Sequence, residues 1–335
     1  MLVLWLKFIV CAAIVVFSGY KICIYAEKIA RALGVGHSFI GLILLAVVTS
    51  LPELSVAVSA VKIKALDLAL SDLFGSNLFN LTIVGIIFLC FIKKPRTISF
   101  DATHFISSGF SVIMIALAAM GIVFYNFFSP ITAYSPFLLD VETALILASY
   151  IFGAYLIFRS EKAPKPSAAK GRRRFKDGST WFKFLVFSAI LVAAAIYLSK
   201  LGNQIARIPV GGVALGGTFV GGLFIAIITS LPEVTVALSS IKLGYWDMAM
   251  GNIFGSNMFN MGIIAVADLA LGRKIILSCA SSLHLFTVLF VIISTALVTG
   301  GLVYRSRKKM PALAWDSVGI IFVYFAANLV IFYLR

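Results

Sequence analysis

The chain has 335 residues, of which 61% are apolar and only 12% charged. A soluble domain carries about 25% charged residues, and a globule of this length could not hide so much apolar surface from water. A soluble enzyme, a secreted disulfide scaffold and a disordered chain are therefore excluded, and the net charge of +15 reads as the basic loops of a membrane protein rather than as a nucleic-acid surface.

Apolar runs such as 111–123 and 285–298 are too long and unbroken for the roughly ten-residue alternating strands of a membrane barrel. At about 20 apolar residues per crossing, the sequence predicts an all-α polytopic membrane protein with ten transmembrane helices. They fall at 3–22 (running on toward 32), 37–61, 66–92, 103–126, 138–158, 181–200, 213–241, 246–271, 282–303 and 311–333. The first segment lacks a basic n-region and a cleavage site, and reads as a membrane helix rather than a removed signal. Cys11, Cys23, Cys90 and Cys279 form no CxxC pair and read as small packing residues.

The longest polar stretch, 159–180, holds Pro164, Pro166 and Arg172-Arg173-Arg174. It divides the chain into 1–158 and 181–335, with five spans each. Placing this loop in the cytoplasm puts Lys21, Lys28 and Arg31, Lys93, Lys94 and Arg96, Lys242, and Arg305, Arg307, Lys308 and Lys309 on the same side. With the nine basic residues from Arg159 through Lys183, that side carries 20 of the 28 Lys and Arg residues, and both termini lie outside.

The two parts repeat one another. Thr49-Ser50-Leu51-Pro52-Glu53 recurs 180 residues later as Thr229-Ser230-Leu231-Pro232-Glu233, and Phe74-Gly75-Ser76-Asn77 with Phe79-Asn80 recurs as Phe254-Gly255-Ser256-Asn257 with Phe259-Asn260. Between Thr49 and Asn80, 17 of 32 positions are identical without a gap. Five spans per repeat is an odd number, so the second copy threads the membrane in the opposite sense, an arrangement that places substrate near the midplane at interrupted helices. Pro52 and Pro232 supply the interruption by removing a helical donor. Gly75 and Gly255 mark the expected weak point of the following helix.

Glu53 and Glu233 each follow such a proline inside an apolar span. A carboxylate there costs roughly 2.5–3.5 kcal/mol on insertion scales unless something offsets it, and a cation shared by the pair would do so. The neighbouring polar atoms are oxygens from Thr49, Ser50, Ser76, Asn77 and Asn80 and from Thr229, Ser230, Ser256, Asn257 and Asn260. Such a set selects hard cations, and Ca²⁺ suits a dry cage better than Mg²⁺. When Ca²⁺ leaves, Na⁺ or protons must relieve the repulsion between the two carboxylates.

These residues resemble the alpha-repeat motifs of the cation/calcium exchanger superfamily, especially the prokaryotic sodium/calcium antiporters, over about 39–84 and 219–265. The resemblance implies a secondary antiporter working by alternating access, with Na⁺ and Ca²⁺ as transported ions and no organic cofactor. It implies Glu53 and Glu233 as Ca²⁺ ligands, backbone oxygens near Ala46, Thr49, Ala226 and Thr229 completing the shell, and Ser50, Ser76, Ser230 and Ser256 helping to form Na⁺ sites. Asn80 and Asn260 belong to the same ion-binding set. The first and sixth spans would form the sliding gate, in a plasma or inner membrane, with no oligomer required. The family motif usually begins Gly-Thr-Ser, and Val48 and Ile228 replace that glycine. Asp72 stands where the family usually has Asn, as Asn252 does in the second copy, and either adds charge near the site or sits at the helix mouth. Asn260 replaces an Asp common among sodium exchangers and makes the centre less acidic. A Ca²⁺/H⁺ antiporter on the same scaffold is the nearest alternative; a passive cation channel or a Ca²⁺-binding sensor is the alternative of another class.

The remaining charged residues have plainer readings. Asp67 and Asp247 read as helix N-caps, Lys62 and Lys242 as snorkelling helix-end lysines, and Asp268 and Asp316 as interfacial. Asp140 and Glu142 mark the outer end of the fifth span, where they either gather cations at an entrance or sit at the interface. His37, His104 and His284 read as unpaired residues near span ends. No phosphate-binding loop supports an ATP-driven pump, and no hydrolase motif supports an enzyme.

Overall fold

The structure, a computed structural model, describes residues 2–92, 98–128, 139–161, 178–206, 208–210, 213–214, 227–272, 274–311 and 313–334. Among these, eight helices are long and apolar enough to cross a membrane, and a bent pair makes a ninth. In chain order they are α1 (Leu2–Leu33), the bent pair α2a (His37–Thr49) and α2b (Leu51–Lys62), α3 (Leu66–Phe91), α4 (Thr103–Phe128), α5 (Val141–Glu161), α6 (Gly178–Ala206), α8 (Trp246–Leu271), α9 (His284–Arg307) and α10 (Trp315–Leu334). Of the seventh expected span, only its second part, α7 (Leu231–Lys242), and the short helical piece at 227–229 are described. Residues 213–214, where that span was expected to begin, instead form an antiparallel bridge with 209–210. Ala226, Lys93, Lys94, Arg96 and most of the central basic loop lie outside the described residues.

Two sequence expectations change on inspection of the helices. α1 is one continuous helix of 32 residues, about 48 Å at 1.5 Å per residue against a hydrocarbon core of about 30 Å. Lys21, Lys28 and Arg31 therefore sit on its last four turns and not in a loop; Lys21 lies over the Phe17 ring and Lys28 over Tyr25, at 5.3 and 5.6 Å. Gly75 and Gly255 do not break their helices, since α3 and α8 each run unbroken for 26 residues. Burial explains the difference, because a tightly enclosed helix keeps its backbone bonds where water cannot replace them. The most apolar window of α3 and of α8 is 78% buried, against 22% for α1, α5 and α10.

The described chain divides into two compact units, Met1–Pro52 with Ile157–Ser256 and Glu53–Leu156 with Asn257–Arg335. In the first unit, α1 packs along α6. The buried positions of α6, Phe184, Ser188, Leu191, Ala195, Leu198, Gly202 and Ile205, follow the three-and-four spacing of a helix seam. The facing stripe of α1 includes Cys11, Val15, Ser18, Ile22, Ala26 and Ala30, whose many small residues permit close approach. α2a crosses the first half of α8 at glycines. A Cβ on Gly41 would fall against the Met248 carbonyl, one on Gly251 against the Ser38 carbonyl, and one on Gly255 against the Leu42 carbonyl and the Ala46 methyl. Backbone meets backbone here, so a side chain at any of these positions would force the two helices to shift.

In the second unit, the ends of helices gather in two groups. Ser281 N and His284 Nε2, just before and at the start of α9, both bond Asp67 Oδ1 near the start of α3 at 2.8 Å. Asn126 in the last turn of α4 donates to the Ala280 carbonyl, and Asp140 N before α5 donates to Asp268 Oδ2 near the end of α8. Ile98 N, before α4, bonds the Arg305 carbonyl near the end of α9, and Ser306 Oγ bonds the Ile98 carbonyl. α4 and α9 thus each have their two ends in different groups, as successive crossings require.

Several charged and titratable residues have partners that their sequence positions do not suggest. Asp67 is not an N-cap: Ala65 holds that position, with no side-chain cap bond. His284 is not unpaired but bonded to Asp67. Asp268 is buried and accepts Ile276 N at 2.8 Å. Asp316 is fully buried and grips Arg305, whose Nε and Nη2 donate at 2.7 and 2.8 Å. Ser317 Oγ accepts another bond from Nη2, and the guanidinium carbon lies 4.1 Å from the centre of the Phe88 ring.

Candidate cation site

The first unit contains an oxygen cluster built around a helix break. Residues 40–45 of α2a are wound as a π-helix, a distortion often found where side chains must be re-aimed. α2a then stops at Thr49, and α2b leaves at 41°. Ser50 lies between them at φ −95° and ψ 7°. Its repeat counterpart Ser230 has φ −89° and ψ 12° before α7. The same motif thus imposes the same sparsely occupied bridge conformation twice. Pro52 and Pro232 sit at the second positions of the helices that follow, where their missing N–H costs nothing.

The break sets the chemistry. Glu53 and Glu233 fall in the first turns of α2b and α7, where the positive end of the helix dipole favours a carboxylate. Ser-x-x-Glu is also the spacing of a capping box, yet the Ser230 hydroxyl makes no cap bond. Ser50 Oγ instead donates to Glu233 Oε1 at 3.1 Å, and Ser256 Oγ to the same oxygen at 3.4 Å. Thr49 Oγ1 lies 3.3 Å from the Ala46 carbonyl, 3.2 Å from Asn252 Oδ1 and 3.2 Å from Ser256 Oγ. The carbonyl end of α2a, itself the negative end of a helix, therefore meets a carboxylate from α7.

Counting protons shows what this cluster lacks. Thr49, Ser50 and Ser256 offer one hydroxyl proton each, against the Ala46 carbonyl, the Asn252 amide oxygen and both Glu233 oxygens. Glu233 Oε2 and Ser230 Oγ have no hydrogen-bond partner among the described residues, and Glu233 is fully buried. No Lys, Arg or His among the described residues forms an ion pair with it. The separations, 3.1–3.4 Å, exceed the usual hydroxyl bond of about 2.7–2.8 Å. Hydroxyls elsewhere in this chain that bond back along their own helices span 2.7 Å for Ser59 and Thr299 to 3.1 Å for Ser108. Oxygens around a six-coordinate cation at about 2.3–2.6 Å would stand roughly 3.3–3.7 Å apart. The 3.1–3.4 Å separations of the cluster overlap the lower edge of that range and are also long hydrogen bonds.

The second unit holds a symmetric amide ring. Asn77 Nδ2 donates to the Asn257 carbonyl at 3.3 Å and Asn257 Nδ2 to the Asn77 carbonyl at 3.2 Å. Asn80 Nδ2 donates to Asn257 Oδ1 and Asn260 Nδ2 to Asn77 Oδ1, both at 3.0 Å. The amide oxygens of Asn80 and Asn260 are left without a partner among the described residues, although both side chains are fully buried. Glu53 and Ser76 are also buried in this unit.

Of the expected site residues, the structure brings together Thr49, Ser50, Glu233, Ser256 and the Ala46 carbonyl, with Thr229 and Ser230 buried in the same unit. Asn80 and Asn260 meet through Asn77 and Asn257. Asn252 was not among the expected ligands; its signal was the polar side chain at the Asp72 position of the repeat. Among the described residues no three His, Cys, Asp or Glu side chains gather as a metal site, so the single carboxylate of the first cluster is ringed by hydroxyl and amide oxygens.

The sequence matches the family described as sodium/calcium exchanger protein over residues 3–160 and 179–333. It is 27% identical to the sodium/calcium exchanger MaX1 of Methanosarcina acetivorans, over 92% of this chain and 93% of that protein. It is 26% identical to the inner membrane protein YrbG of Escherichia coli (strain K12), over 75% of this chain and 74% of that protein. The fold is similar to that of the sodium-calcium exchanger NCX_Mj in 10 mM Na⁺ and zero Ca²⁺, with a TM-score of 0.70, 20% identity, and 98% and 99% of the two chains covered. The architecture is that all-α fold, with ten membrane helices in two inverted repeats.

Proposed function

The chain belongs to the sodium/calcium exchanger family, and on that premise we propose that it exchanges Na⁺ for Ca²⁺ across a cell or inner membrane by alternating access. The observation that carries this reading is the buried Glu233 carboxylate, which has surplus oxygens around it and no basic partner among the described residues. A buried charge in a membrane protein needs a partner, and a transported cation supplies one that can leave.

Glu53 and Glu233 provide the carboxylates for Ca²⁺, with carbonyls of Ala46, Thr49, Ala226 and Thr229. Ser50, Ser76, Ser230 and Ser256 help to hold Na⁺, and Asn80 and Asn260 contribute amide oxygens. Two carboxylates neutralise one Ca²⁺, and several Na⁺ replace it because the emptied pair repels itself. The central loop faces the cytoplasm and both termini face outside, in keeping with the distribution of basic residues. A proton-coupled exchanger is the second reading, favoured by Asn260, an amide that donates to Asn77 where a carboxylate would add charge.

Radiolabelled Ca²⁺ uptake into sealed vesicles containing the purified chain separates these readings. Uptake driven by an outward Na⁺ gradient is expected. Uptake driven only by a pH gradient would replace Na⁺ with protons, and non-saturating uptake that needs no gradient would indicate a channel.

A further inference from the structure

The first unit has a cleft none of whose lining residues belongs to the oxygen cluster. It lies between the first two turns of α1 and the last turns of α6, has a volume of about 420 Å³, and is lined by Leu4, Lys7, Tyr197, Lys200, Leu201 and Gln204 among others. The two helices run antiparallel, so Lys7 near the start of α1 and Lys200 near the end of α6 come to the same end of the seam. Trp5 and Tyr197, both partly exposed, place this end at the headgroup level, where amphipathic aromatic rings settle.

The lysines of this cleft differ from others on the same helix. Lys21 and Lys28 cover aromatic rings. Among the described residues, Lys7 and Lys200 have neither a ring nor an acidic partner, and both are exposed. Two free ammonium groups, an amide and a phenol therefore rim a cleft whose inner wall is leucine. Phosphate oxygens suit the rim, because Lys binds phosphate as a point charge, and an acyl chain suits the leucines. A free inorganic anion would leave that apolar wall unused.

We infer that this cleft binds one anionic phospholipid, with its phosphate between Lys7 and Lys200 and an acyl chain against Leu4 and Leu201. The site joins the ends of the two long helices that form the first unit's main seam, and it does not depend on which cations the chain moves.

Native mass spectrometry of the detergent-purified full chain, given equal amounts of phosphatidylglycerol and phosphatidylcholine, tests the inference. One phosphatidylglycerol should be retained in preference to phosphatidylcholine. With each lysine near a membrane surface contributing a factor of roughly five, Lys7→Gln or Lys200→Gln should weaken retention about fivefold, and the pair about 30-fold. Gln204→Trp, which fills the cleft and leaves both lysines, should also displace the lipid, whereas Lys242→Gln should leave retention unchanged. Millimolar inorganic phosphate should not compete. Equal retention of phosphatidylcholine, unchanged retention in the double lysine variant or in Gln204→Trp, or displacement by phosphate would each overturn the assignment.

Discussion

Glu233 and Arg305 are both fully buried ionisable residues in a membrane protein, and their surroundings are opposite. Arg305 is closed on every side: Asp316 takes two of its N–H groups at 2.7 and 2.8 Å, Ser317 and the Pro311 carbonyl accept further bonds, and Phe88 covers its face. Gly301 leaves room for the Asp316 carboxylate. Glu233 accepts long bonds from the Ser50 and Ser256 hydroxyls, at 3.1 and 3.4 Å, and one of its oxygens has no partner among the described residues. Arg305, which pins α9 to α10, carries its counter-charge within the protein; under the proposed function, Glu233 leaves that role to a cation that can come and go.

Replacing each group breaks the comparison in a different way. Glu233→Gln keeps size and shape but removes the charge. Calcium transport should fall by roughly 100-fold or more, because affinity at oxygen sites follows ligand charge, while the extracted protein stays folded with unchanged thermal stability. Arg305→Met should do the reverse. Leaving Asp316 buried and unpaired should cost about 3–5 kcal/mol, seen as a large drop in melting temperature in detergent, and surviving folded protein should retain its Ca²⁺ affinity. The double variant Arg305→Met with Asp316→Leu should recover much of that loss, because an apolar pair can replace a buried ion pair.

Gly255→Ala sharpens the contrast by touching both packing and site. Its methyl would press on the Leu42 carbonyl and Ala46, which should cost about 1–3 kcal/mol as overpacking and lower ion affinity by displacing the adjacent Ser256. Ser50→Ala removes one hydroxyl from Glu233 and should weaken cation binding about tenfold with little change in stability. Asp67→Asn should have the smallest effect. The Asp67 side chain is 56% exposed, and loss of its His284 pair should cost under about 1 kcal/mol.

Hydropathy and the 180-residue offset carried most of the fold, because lipid forces long apolar helices and a repeated motif repeats its backbone. Ser50 and Ser230, with nearly the same dihedral angles, show how strongly the Thr-Ser-Leu-Pro-Glu string dictates its own break. Contacts between distant elements were not legible. Arg305 at a helix end reads as a loop charge, and nothing local distinguishes it from Arg307 until α10 brings Asp316 against it. Asp67 has the position of an ordinary helix-start acid, but its partners are Ser281 and His284, more than 200 residues away. Gly255 marks a helix crossing because a carbonyl of α2a lies on it; in the sequence, Gly-Ser-Asn looks like a flexible point. Asn252 was passed over because its repeat counterpart is Asp72 and the two do not match by identity.

Equilibrium binding of ⁴⁵Ca²⁺ to the purified chain, measured for the native protein and for Glu233→Gln side by side, bears most directly on the oxygen cluster as the place where cargo binds. Saturable binding to the native chain, displaced by added Na⁺, is expected, together with its loss in a Glu233→Gln protein that melts at the same temperature. Calcium bound equally well by that variant would contradict it.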